Sequence, residues 1–367
     1  MAKRTAIVVL CAVLCSTIWL LPSAGATLAP PSSTDVSSSS PARAVDMPPA
    51  AVQAGLSPHA WARIAEQIRA DLARSAVAQD VSALAFTEQK KLTASDGAFQ
   101  DFFGTSVAIW GDTVVVGAYY ADVGGNPDQG AAYIFYRNQG GAENWGQVKK
   151  ITASDGAAYD EFGRSVAIYG DTVVVGASEA AVGGNPGQGA AYLFRRNQGG
   201  AENWGQVKKL TASDGAVGDQ FGISVAIWGD TVVVGADRDD VGANANQGSA
   251  YIFYRNQGGA ENWGQVKELL APTDAGVPSV FGQSVAIYGD TVVVGAYQAA
   301  VGGVFNYGAA YVFARNQGGA ENWGQVKKLV ASDGTEGDRF GISVAIWGDT
   351  VVVGAYLADV GSNSGQG

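Results

Sequence analysis

The chain has 367 residues, a formal net charge of −11, two cysteines and one histidine. The negative balance argues against nucleic acid or anionic membrane surfaces as partners, since both need clustered Lys and Arg; it also serves plain solubility. Cys11, Cys15 and His59 all precede residue 60, so His-based zinc sites, Cys–His pairs and Ser-His-Asp triads are excluded from the rest of the chain, and only carboxylate chemistry survives there.

The first element predicted is a secretory signal peptide, residues 1–26. Lys3 and Arg4 give a positive start, and Ile7 to Leu21 is an apolar run too short for a comfortable bilayer span. Ala24-Gly25-Ala26 fits a small-x-small cleavage site. The expected product starts at Thr27, is secreted or held in the cell envelope, and has no integral membrane span; an uncleaved anchor is the alternative. Both cysteines leave with the peptide, so packing alone must hold the mature fold.

Residues 27–56 are rich in Ser, Pro and Ala, too poor in apolar surface to offset ordering entropy, and read as a disordered linker. Residues 57–80 read as one amphipathic helix. Ser57 caps it, Pro58 suits the first helical position, and Trp61, Ile64, Ile68 and Leu72 share a face.

From residue 86 to 367 a unit of about 59 residues repeats. Phe-Gly recurs at Phe103-Gly104, Phe162-Gly163, Phe221-Gly222, Phe281-Gly282 and Phe340-Gly341. Gly-Asp-Thr-Val-Val-Val-Gly follows each time, and Asn-Gln-Gly-Gly-Ala-Glu-Asn-Trp-Gly-Gln closes four of the units. A fixed long period means one supersecondary unit stacked on itself. The first unit predicts strands at Ser106–Trp110, Thr113–Ala118, Ala131–Arg137 and Gln147–Thr152. Gly111-Asp112 makes a two-residue hairpin turn, and Val114-Val115-Val116 suits a strand covered on both faces. The fold class expected is all-β, a β-propeller of four-stranded antiparallel blades. Glu88–Ala94 matches a fourth strand, so nineteen strands are expected, the last blade holding two.

These motifs resemble FG-GAP repeats, the units of the integrin α-subunit N-terminal propeller and of bacterial exported proteins. The resemblance covers residues 88–367 and implies a commonly seven-bladed ring, here truncated. Family members often carry a calcium loop between strands one and two. Here that link is only Gly111-Asp112 or its copies, too few oxygens for calcium, so no metal and no cofactor are expected. Asp96, Asp155, Asp214 and Asp333 in the Ser-Asp-Gly segments read as turn residues, capped by Asp101, Asp160, Asp219 and Asp338, with calcium as the other reading.

Links one–two and three–four should share a face that is nearly identical between copies. Trp145, Trp204, Trp263 and Trp323 on it read as seam plugs, with a sugar-stacking row as the alternative. Links two–three and four–one should share the opposite, variable face. Candidate ligand-binding residues there are Tyr119, Tyr120, Asp122, Glu179, Asp237, Arg238, Asp239, Asp240, Tyr297, Phe305 and Tyr307. The resulting expectation is a non-catalytic interaction or adhesion protein that offers a variable acidic face to a protein or carbohydrate. A carboxylate-based glycoside hydrolase or lyase, and a scaffold for a further domain, are the alternatives.

Overall fold

The computed structural model describes residues 88–272, 275–276, 278–361 and 363–367. The expected signal peptide (1–26), linker (27–56) and helix (57–80) lie outside the described residues. Among the described residues no helix is long and apolar enough to cross a membrane.

Among the described residues, eighteen strands form five antiparallel sheets in chain order. The first sheet holds β1 (Val107–Trp110), β2 (Thr113–Ala118), β3 (Ala131–Tyr136) and β4 (Gly146–Ile151). The second holds β5 (Phe162–Tyr169), β6 (Thr172–Ala177), β7 (Ala190–Arg195) and β8 (Gly205–Leu210). The third holds β9 (Ser224–Trp228), β10 (Thr231–Ala236), β11 (Ser249–Tyr254) and β12 (Gly264–Leu270). The fourth holds β13 (Phe281–Tyr288), β14 (Thr291–Ala296), β15 (Ala309–Ala314) and β16 (Gly324–Leu329), and the fifth holds β17 (Ser343–Trp347) and β18 (Thr350–Gly354).

Each four-stranded sheet is a simple meander, as two-residue Gly-Asp turns and short links allow. Strand boundaries in the first unit fall within one residue of those expected. The exception is Glu88–Ala94. Only Glu88 takes part in a bridge, because no third strand lies beside this segment among the described residues. It keeps the side-chain links of a fourth strand nonetheless. Lys90 donates to Asn144 as Lys149 does to Asn203, and Leu92 is buried in one cluster with Trp145.

The sheets pack face to face, and their motifs exist for that packing. The Val-Val-Val strands β2, β6 and β10 are fully buried apart from traces at their first residues. One cluster joins Val115 and Ile134 of the first sheet to Val166, Ile168 and Phe162 of the second. The same pattern links the second sheet to the third and the third to the fourth.

Two glycines explain why Phe-Gly and Val-Gly-Ala must be spelled as they are. Gly163 has φ +98°, and a Cβ there would stand 2.4 Å from the Ala131 carbonyl. Gly117 faces it across the seam, where a Cβ would meet the Gly163 carbonyl at 2.0 Å. Only paired glycines let the two backbones approach so closely.

The four tryptophans plug the seams, each at most 2% exposed. Trp204 sits among Val115, Ala132 and Ile134 of the preceding sheet, and its indole N–H donates to the Tyr136 hydroxyl at 2.7 Å. Arg137, Arg196, Arg255 and Arg315 lie over the tryptophan rings of their own units at 5.0 to 5.3 Å. The same arginines pair with the turn aspartates Asp112, Asp171, Asp230 and Asp290. Arg196 also reaches back to the Thr113 hydroxyl of the preceding sheet at 3.0 Å. The Gly-Asp turn is thus a structural clamp.

Candidate ligand-binding site on the variable face

The two–three and four–one links do share one face. Backbone bonds join them: Tyr120 to Asp101, Arg238 to Asp219, Gln298 to Ser279 and Leu357 to Asp338. Asp101, Asp160, Asp219 and Asp338 cap the neighbouring turns, accepting from the backbone N–H groups of Ala98, Ala157, Ala216 and Thr335. Asp96 and Asp155 are held by the ammonium groups of Lys150 and Lys209 at 2.7 and 2.6 Å. The Lys150 hydrogen bond keeps the Asp96 carboxyl below its ordinary value. In these two units the Ser-Asp-Gly carboxylate is therefore already engaged by a lysine.

The candidate residues separate by what they touch. Asp122 and Asp240 close their own loops, accepting from the backbone N–H groups of Asp128 and Asn246. Asp239 is a correction to the surface reading. It is buried, and its carboxylate accepts from the Ser249 and Tyr251 hydroxyls. Tyr307 is another: it stands where Gln129, Gln188 and Gln247 stand in earlier units, and its hydroxyl donates to the Ala331 carbonyl just as Gln247 donates to Ala271. Phe305 is exposed and stands apart from the cavity described below. Glu179 accepts from Gln220. Tyr119 and Tyr120 pack with Phe102, and Arg164 lies over Tyr119 at 4.7 Å.

Asp237, Arg238 and Tyr297 come together. With Arg164, Gln220, Gln283, Gln298 and Asn246 they line a cavity of about 500 Å³ contributed by the second, third and fourth sheets. Its opening has a sequence cause. The first link position is tyrosine in Tyr119, Tyr297 and Tyr356, but Ser178 and Asp237 in the second and third units. Where tyrosine is present, an arginine of the next unit covers it: Arg164 over Tyr119, and Arg339 over Tyr297 at 5.6 Å. The fourth unit offers Asp237 no such cation, carrying Val280 and Gln283 around its Phe-Gly.

Asp237 is consequently 4% exposed with Oδ1 lacking any hydrogen-bond partner. Burial pushes its carboxyl up to about 6, against the opposing pull of Arg238, its own backbone N–H and Arg164, and with some help from Glu179. Native proteins rarely leave a buried carboxylate oxygen unpaired, and such groups gather at functional sites. Val280 holds φ +55° at the cavity wall, the conformation that Phe102, Glu161, Gln220 and Arg339 also take before their Phe-Gly pairs. A β-branched residue in that region is costly.

The third unit breaks the framework beside this site as well. Glu268 replaces the lysine of Lys150 and Lys209, Asp239 replaces Ala121 and Ala180, and Ser249 replaces Ala131 and Ala190. Asp214 therefore meets carboxylates where its counterparts meet an ammonium. Burial, then repulsion from Asp214 and Asp239, raises Glu268; burial is also the main cause that raises Asp239.

Another feature is unanticipated: Trp110, Tyr169, Trp228, Tyr288 and Trp347 form a continuous row on the opposite face, neighbours lying 4.2 to 5.1 Å apart. An aromatic residue immediately before every Gly-Asp turn was the available signal.

Blade-like antiparallel sheets, stacked face to face with their link regions on two opposite faces, define a propeller-like repeat protein. The FG-GAP repeat matches five times, at residues 86–135, 145–194, 204–253, 263–313 and 323–366. The chain belongs to the FG-GAP repeat family. No curated protein matches it. Among solved structures, the crystal structure of the computationally designed Ika4 protein is similar with a TM-score of 0.36 and 13% identity, over 61% of this chain and 98% of that one.

Proposed function

We propose that the chain is an exported, non-catalytic binding protein that engages a protein or glycan through its variable face. The observation that carries this reading is the cavity at Asp237. Units that are otherwise near-identical differ there, and the differences leave a buried carboxylate oxygen unpaired beside two arginines. Discrimination between ligands must come from such positions, because the shared framework is the same in every unit. Among the described residues, Asp237 is the single carboxylate lining the cavity. Glycoside hydrolysis uses two carboxylates at a set separation, so the arrangement supports binding over that chemistry. Export is supported by Lys3, Arg4, the Ile7–Leu21 run and Ala24-Gly25-Ala26.

The test replaces residues 237–246 by the matching 178–187 loop and compares both proteins on arrays of extracellular proteins and glycans. Wild-type signals that vanish on exchange support the reading. Signals that survive the exchange contradict it. Terminal sequencing of the exported protein should begin near Thr27, and an intact Met1 in a membrane fraction would count against export.

A further inference from the structure

The chemistry of the cavity narrows its ligand further, on the premise that the variable face binds at all. Asp237 lines the cavity and its Oδ1 has no hydrogen-bond partner, so a ligand O–H or N–H that reaches the carboxylate finds an open acceptor. Arg164 and Arg238 line the same space. Arg164 is balanced by Glu161 at 3.6 Å, whereas Arg238 is exposed. Arg238 therefore offers guanidinium donors to ligand oxygens while Asp237 offers an acceptor, and a hydroxyl, being both donor and acceptor, can satisfy the two together.

The other lining groups suit hydroxyls too. Gln220, Gln283, Gln298 and Asn246 each combine an amide donor and acceptor that can bind neighbouring hydroxyls in pairs. Tyr297 adds one aromatic ring for an apolar ligand face. Among the described residues, the aliphatic part of the lining is Ile223, Pro278 and Val280, a small share beside its polar groups. The volume of about 500 Å³ lies in the range of small-ligand sites.

We infer that this cavity is a saccharide site for neutral or uronic sugars, with a ligand hydroxyl donating to the Asp237 carboxylate and others accepting from Arg238. The first, fourth and fifth units carry tyrosine at this position and the second carries Ser178, so the third supplies the one carboxylate there. A single site therefore sits on a repetitive scaffold, and binding should be monovalent.

The test screens the full chain against neutral, uronic and amino oligosaccharides and, in parallel, a random peptide array. Titration calorimetry and hydrogen-exchange footprinting follow at pH 7. A neutral or uronic oligosaccharide should bind with one-to-one stoichiometry and protect residues 237–246 and 297–298. Asp237→Ala and Arg238→Ala should each weaken it at least tenfold. Asp237→Asn keeps the shape and should still weaken it severalfold, while Glu321→Gln on the opposite face should leave affinity unchanged. Peptide binding with that footprint and no saccharide binding would overturn the saccharide assignment but keep the binding face. Preference for amino sugars, or protection centred on the Trp110–Trp347 row, would overturn the assignment of this cavity. Binding of neither class would overturn both readings.

Discussion

The two faces of these units obey different rules. On the turn face, Arg137, Arg196, Arg255 and Arg315 each have an aspartate, a tryptophan ring and, in three units, a threonine of the preceding sheet. On the variable face, tyrosine and arginine pair at some seams and fail to pair at Asp237. The same backbone supports both, so the contrast is written in side chains alone. The turn face engages its charged groups with one another, while the variable face leaves Asp237 Oδ1, and Ser178 Oγ at the matching position of the second unit, without a hydrogen-bond partner.

The largest expected effect lies on the turn face. Trp204→Ala removes a ring 1% exposed from the first seam and strips the Tyr136 hydroxyl of its donor. A loss of about 3–5 kcal/mol is expected in denaturant unfolding. A variant as stable as wild type, with a lost sugar affinity instead, would make the tryptophans a ligand platform.

Asp237→Asn should act in the opposite direction. The folded carboxyl titrates at about 6 against an ordinary 3.8, so between about pH 4 and 6 the folded state binds more protons than the unfolded state. Stability contributed by this site therefore falls as pH rises through that window. Removing the charge should stabilise the protein above pH 6 by on the order of 3 kcal/mol.

Glu268→Lys sharpens the comparison within one unit. It restores the Lys150–Asp96 and Lys209–Asp155 arrangement to Asp214. A gain of about 1 kcal/mol at pH 7 is expected, shrinking at low pH as the carboxylates of wild type protonate. Equal stability of the two proteins at pH 7 would mean that the third unit has already compensated its acidic cluster.

The smallest effect should come from Asp171→Asn. Its ion pair with Arg196 is 3.4 Å long and the aspartate is largely exposed. Thermal unfolding should move by no more than about 0.5 kcal/mol, because Arg196 keeps the Trp204 ring and the Thr113 hydroxyl. A larger loss would show that the clamp works through charge rather than packing.

Most of the fold was legible because a period of about 59 residues, Gly-Asp turns and Val-Val-Val strands each dictate local geometry directly. The seam role of the tryptophans followed from their repetition. The site was less legible. Asp239 and Asp237 look alike in sequence, yet one is tied to Ser249 and Tyr251 and the other is left alone. Arg164 was hidden because it follows Phe162-Gly163, inside a motif that reads as framework. Tyr307 misled for the converse reason, since a tyrosine replacing glutamine in a variable loop can still do the glutamine's structural work. Whether a loop side chain is engaged depends on the next unit, about 59 residues away, and local sequence does not display that partner.

Asp237 is buried with Oδ1 unpaired, at a cost in stability. Melting temperatures of wild type and Asp237→Asn from pH 3.5 to 8 test this directly. The curves should coincide below about pH 4 and separate above pH 6, with the asparagine variant the more stable. Coincident curves throughout, or a variant less stable at pH 7, would contradict it.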